Sequence, residues 1–111
     1  MKRSLFLAAL SLVAVLIFAS VAGVQKQATR TVLIQNFSFK PAHITIKRGT
    51  KVTWINKDMT KHTATANKAR SFDSGVLRPG ESYSHTFKTT GKQGYHCEIH
   101  PSMMGSVTVK R

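Results

Sequence analysis

From Thr31 onward, apolar side chains recur at every second position, and no long stretch repeats them at the three-and-four spacing of a helix. Val32 and Ile34 alternate with Thr31, Leu33 and Gln35; Ile44 and Ile46 with His43, Thr45 and Lys47; Val52 and Trp54 with Thr53 and Ile55. Tyr83, His85 and Phe87 alternate with serines and a threonine, and Val107 and Val109 with Thr108 and Lys110. A period of two turns one face of each run toward a core and the other toward solvent, which is the pattern of a half-buried strand. Turn residues separate the runs: Arg48-Gly49-Thr50, Pro79-Gly80 in the order a type II turn wants, and Thr90-Gly91. Only Asn67 to Ser71 leaves room for a helical turn or two. Seven to eight short strands at this spacing predict an all-β chain, an antiparallel β-sandwich with Greek-key connections. No repeat, linker or low-complexity tract interrupts it after residue 28.

The N-terminus is of another kind. Lys2 and Arg3 precede an uncharged run from Leu5 to Val24, and polar Gln25, Lys26 and Gln27 follow it. This is the layout of a secretory signal peptide. Its strongly apolar part, Leu5 to Phe18, is shorter than the roughly 20 residues of a membrane span. Ser20 and Ala22 fit a small-x-small cleavage pattern, which predicts a signal peptide over 1–22, a mature domain over 23–111, and a destination in the periplasm or at the cell surface. The rival reading is an uncleaved anchor, because the whole uncharged stretch is long enough to span. No cysteine lies near the N-terminus, so a lipid anchor on a processed cysteine is excluded.

Of the 17 basic residues only Lys2 and Arg3 precede the cut, which leaves 15 against 4 acidic ones and a net charge of +11 on the mature domain. Such a charge favours anionic partners, an anionic membrane surface among them. A nucleic-acid groove would interleave aromatic residues with the basic ones, and this chain does not. A domain this small buries only about 60–65% of its unfolded surface, and exported domains of its size often add disulfides. Cys97 is the single cysteine and has no partner, so in an oxidising compartment it has to be buried or held.

Cys97 lies in "YHCEIHPSMMG", Tyr95 to Gly105, beside two of the five histidines and two of the four methionines. Gly94 to Cys97 reads as a strand end, Glu98 to Met104 as a loop, and Gly105 to Lys110 as the last strand. A rigid metal site needs donors from more than one segment. His62 is the best upstream candidate, because it follows the strand Val52–Asn56 and the polar turn Lys57–Lys61 and opens an alternating run, Thr63 to Ala66. The donor set is then His62, Cys97, His100 and a methionine, Met103 or Met104. Two imidazoles, a thiolate and a weakly held thioether form the blue-copper electron-transfer set: soft sulfur suits Cu(I), and imidazole suits both oxidation states. The other histidines have plainer roles: His43 and His96 read as surface residues and His85 as partly buried packing. Trp54, Phe72 and Phe87 read as core.

The chain resembles the small blue (type 1) copper proteins of the cupredoxin family, in the amicyanin and plastocyanin-like branch, from about Thr31 to Lys110. "VTWINKDMTKH" carries a strand tryptophan, Trp54, eight residues before His62, and Cys97, His100 and Met103 reproduce the C-x-x-H-x-x-M ligand loop. The resemblance implies a cupredoxin-like sandwich, one copper ion, and ligands His62, Cys97, His100 and Met103, with Met104 as a hydrophobic plug. It further implies a one-electron carrier without substrate turnover. The alternative is a periplasmic copper-binding or delivery protein. Members that are enzymes need further copper sites between domains, which a mature domain of this length does not offer. In the family the second ligand histidine is the electron exit, in an apolar patch that Met59 and Pro101 could supply here. Lys57 and Lys61 then favour an acidic redox protein, a cytochrome, dehydrogenase or oxidase, docking on a monomer near His100. Two positions depart from the pattern: Ile99 stands where amicyanins carry proline, and Thr63 where several members have asparagine. Both bear on the surroundings of the ligands.

Overall fold

Each alternating run forms a strand with its apolar members turned inward. The computed structural model describes residues 12–17 and 26–111. Its strands are β1 (Thr29–Gln35), β2 (Ser38–Lys40), β3 (His43–Lys47), β4 (Lys51–Asn56), β5 (Thr65–Ala66), β6 (Ser82–Thr86), β7 (Gly91–His96) and β8 (Met104–Lys110). They form two four-stranded sheets, in the orders β2-β1-β4-β6 and β3-β8-β7-β5. Val32 and Ile34 of β1, Val52 and Trp54 of β4, Ile44 and Ile46 of β3 and Val107 and Val109 of β8 meet between the sheets. Trp54 is the centre of this core: it stacks on Phe72 with ring centroids 5.2 Å apart and meets Tyr95 edge-on at 5.4 Å. Among the described residues there is no helix, and Asn67 to Arg70 form turns.

The sandwich is as expected, but its sheets are mixed and not wholly antiparallel: β1 pairs with β4, and β3 with β8, in parallel. Wholly antiparallel sheets would need every connection to reverse the chain. The connection from β2 to β3 does not. At Lys40-Pro41 the chain passes from one sheet to the other while keeping its direction, and Pro41 has no N–H with which to extend the first ladder. The turn Arg48–Thr50 then reverses the chain, so β4 returns beside β1 in the same sense. The expected run Thr63 to Ala66 also differs. Only Thr65 and Ala66 are strand, and all five residues from His62 to Ala66 are buried, because bridges to Leu77 and Asp73 cover one side and β7 the other.

Among the described residues every strand and every core residue lies between Thr29 and Lys110, so both sheets and the core between them are complete within 26–111. The expected signal peptide, 1–22, lies outside the described residues except for 12–17, which are in neither helix nor strand. The β1–β2 turn, the loop after β4 and the loop after β7 gather at one end. There the ligand candidates converge.

Candidate metal centre

β4 ends at Asn56, whose wholly buried side chain organises the next turn. Its Nδ2 donates to the carbonyls of Thr60 and Leu77, each at 2.9 Å, and its Oδ1 accepts the Asp58 amide at 3.0 Å. These bonds fix Lys57–Lys61. His62 comes after it fully buried, its backbone exchanging hydrogen bonds with Leu77 in both directions. Cys97, one residue past β7, is equally buried. Its amide donates to the Met103 carbonyl at 3.1 Å, and the Met103 amide donates to the His100 carbonyl at 2.9 Å, so the loop is short and internally closed.

Within this frame Nδ1 of His62 and Nδ1 of His100 each lie 3.8 Å from Cys97 Sγ. All three ligand atoms lie within 4.8 Å of one another. A first-row ion about 2.3 Å from sulfur and 2.0–2.1 Å from nitrogen, with donors 120° apart, requires an S···N separation of about 3.8 Å. The donor set therefore fits one transition-metal ion.

The surroundings fix the donors further. His62 Nε2–H donates to Asp58 Oδ2 at 2.9 Å, which leaves Nδ1 with its lone pair toward the site. Asp58 also accepts the backbone N–H of Asn36 at 2.7 Å and of Phe37 at 2.9 Å. Burial pushes the Asp58 carboxyl up, but the bonds from Phe37, Asn36 and His62 outweigh it and hold the carboxyl below the usual carboxylate range. Thr63 donates its N–H to Cys97 Sγ at 3.3 Å. Its hydroxyl accepts the Glu98 amide at 2.8 Å and lies 3.0 Å from the Thr65 hydroxyl, which in turn donates to Asp73. Thr63 thus steadies the loop through both backbone and hydroxyl.

Met103 is buried and Met104 is 64% exposed. Met59, at 90% exposed, Ile99 and Pro101 are surface residues of the same loops. His43 is exposed and hydrogen-bonds Ser106; His96, between Asn67 and Glu98, takes no part in the site; His85 packs half-buried against Phe72 and Phe87. Sequence reasoning misses two residues. In the sequence Asp58 reads only as a local charge. Nothing there singles out Phe37, yet its half-exposed ring meets His62 and His100 edge-on, with centroids 5.2 and 5.1 Å away. Asn36 is the available signal, since asparagine favours the two-residue turns in which φ is positive.

The sequence profile of the cupredoxin-like domain family matches residues 8–109. A plastocyanin of Scenedesmus fuscus is 37% identical over 84 residues, 65% of this chain and 86% of that protein. Amicyanin-alpha of Methylorubrum extorquens is 31% identical over 110 residues, covering 94% of this chain and 92% of its own. Among solved structures, the oxidised state of an amicyanin mutant superposes with a TM-score of 0.70 at 28% identity, over 75% of this chain and 83% of that one. A copper-containing nitrite reductase of Thermus scotoductus gives 0.71 at 30%, over 78% of this chain but only 23% of its own.

Proposed function

The chain belongs to the cupredoxin-like family, and from that membership we propose that it is an exported one-electron carrier with His62, Cys97, His100 and Met103 as ligands of a single copper ion. The cofactor of such domains is one copper ion, which when bound takes up and releases one electron. The observation that carries the reading is the buried thiol of Cys97 with two imidazole nitrogens each 3.8 Å away. Cys97 supplies the soft donor, and His62, locked by Asp58, cannot turn away from it. A scaffold whose donors are already fixed needs little rearrangement when charge changes. Burial of Met103 beside exposed Met104 favours Met103 as the thioether.

A delivery protein would need donors that a receiving protein can reach. His62 and Cys97 are 0% exposed, so the carrier is the better reading. His100 is the only one of the three that reaches solvent, and Phe37, Ile99 and Pro101 around it form an apolar rim suited to electron exit. Lys57 and Lys61 are exposed on the adjoining turn, while Asp58 between them is engaged by His62. An acidic redox protein should therefore dock there on a monomer, faster at low salt than at high. Nothing here requires substrate turnover: the nitrite reductase it resembles is more than four times as long as the matched part.

Titrating metal-free protein with Cu(II) tests the assignment. One equivalent should give an intense visible band from sulfur-to-copper charge transfer. Cys97→Ser should abolish the band even where copper still binds. Met103→Leu should keep the band and raise the reduction potential, because losing a donor disfavours Cu(II), whereas Met104→Leu should change little. A blue Cys97→Ser protein would remove Cys97 from the site.

A further inference from the structure

The charges of the sandwich are sorted by end. All four carboxylates of the chain lie in the half that carries the metal site: Asp58 and Glu98 on the ligand loops, Asp73 bridged to Thr65, and Glu81, whose carbonyl accepts the Asn56 amide. They are largely engaged, Asp58 by His62, and Asp73 and Glu98 by Arg70. Lys40, Lys57, Lys61, Arg70 and Arg78 lie in the same half, so opposite charges there nearly balance.

The opposite end has no acidic residue. The Arg48 amide donates to the Lys110 carbonyl at 2.7 Å, the Gly49 amide to Phe87 at 2.7 Å, and the Lys51 amide to Ala28 at 2.9 Å. Lys47 and Lys110 are paired across β3 and β8. These bonds draw Lys26, Lys47, Arg48, Lys51, Lys88 and Lys110 onto one pole, all exposed except the half-buried Lys51. Between Lys26–Ala28 and the turn Lys47–Thr50 lies a cleft of about 450 Å³. From Lys51 to Asn56, β4 runs the height of the sandwich, about 17 Å at 3.3 Å per residue, so the pole and the metal site face opposite ways. Lys26, which lines the cleft, follows the uncharged run Leu5–Val24 by two residues in the sequence.

We propose that this basic pole is a docking surface for an anionic phospholipid bilayer, with lipid phosphates seated in the cleft beside Lys26, Lys47 and Arg48 and the metal site turned toward the solvent. A charge kept for solubility alone need not be sorted by sign. Here the pole without carboxylates carries Lys26, the residue joined in sequence to the apolar run, which singles out a bilayer over other polyanions. Each basic residue close to an anionic membrane strengthens binding by about fivefold at moderate salt, and the attraction fades within about one Debye length. The inference stands whatever the other end binds.

Metal-free protein over residues 26–111, which contains the complete sandwich, would be sedimented with vesicles of pure phosphatidylcholine and with vesicles containing phosphatidylglycerol. Binding should appear only with the second and disappear at high salt. Lys47→Glu with Arg48→Glu should weaken it by about 25-fold or more, while Lys57→Glu with Lys61→Glu should weaken it by less than about fivefold. Unchanged thermal melting would show both variants folded. Equal losses from the two pairs, no preference for anionic vesicles, or tighter binding to double-stranded DNA through the same residues would each overturn the proposal.

Discussion

A single carboxylate ties the metal site to the hairpin above it. Asp58 takes His62 Nε2–H on the oxygen that also accepts the Phe37 amide, and Asn36 on the other. One group thereby sets the tautomer of His62, a proposed ligand, and steadies the Phe37 ring that covers it. Partners of metal-bound histidines typically account for 10–100-fold in metal affinity. Asp58→Asn keeps an acceptor but loses the charge and one of the three bonds. We expect Cu(II) to bind about 10-fold more weakly and the reduction potential to rise, because a negative charge near the ion favours its more oxidised form. Asp58→Ala should add faster proteolysis of the β1–β2 turn. A potential unchanged in Asp58→Asn would mean that Asp58 acts on the hairpin alone. The expected role of Thr63 is met without asparagine, since an N–H to sulfur and a hydroxyl to the Glu98 amide need only a backbone and an oxygen.

At the level of elements, the alternating runs gave β1, β3, β4, β6 and β8 directly, because each has one covered face. That Cys97 and His100 would meet His62 was suggested for a different reason, the fixed spacing of a lone cysteine, a histidine and a methionine, and the structure does bring the three donor atoms within 4.8 Å of one another. What escaped was β2, only Ser38–Lys40, and the turn before it, where Asn36 and Phe37 hold φ of +53° and +54°. Phenylalanine rarely adopts that conformation, and nothing local predicts it. Its support comes from Asp58, 21 residues on. Parallel pairing was likewise invisible, since it depends on a connection that changes sheet without reversing. Gly105 in β8 shows how tightly its neighbours in the same sheet crowd it. A Cβ there would run into the Tyr95 ring at Cζ and lie 2.7 Å from the Ala42 carbonyl oxygen. Gly105→Ala should cost about 1–3 kcal/mol by overpacking, a fall in melting temperature of several degrees. An unchanged melting temperature would show that Tyr95 has room to move.

For the whole molecule, stability should fall on the alkaline side. Burial pushes the Tyr95 phenol up to about 12, against a smaller opposing effect of the Trp54 indole N–H. In the unfolded chain the phenol ionises near 10. Because the folded value is the higher, the contribution is intact below pH 10 and is lost as pH rises toward 12, at up to about 1.4 kcal/mol per unit. Tyr83, raised chiefly by burial, adds to the same slope. Denaturant unfolding from pH 8 to 11.5 should show this decline, and Tyr95→Phe should flatten it while changing little at pH 7; an equal slope in both proteins would exclude Tyr95 as its source.

The crossover at Pro41 also has a consequence in time. β3 leaves its neighbour in sequence and waits for β8, so that His43 is bonded to Ser106, 63 residues further along the chain. Until the last strand has been made, β3 and β7 both face an empty place in their sheet, and the Cys97 loop has no strand on its far side. Contacts between such distant segments form late and slowly. A growing chain would therefore remain open until its synthesis is nearly finished, which is the condition in which a polypeptide can still be threaded through a membrane, and the metal site would first take shape on the side where folding ends.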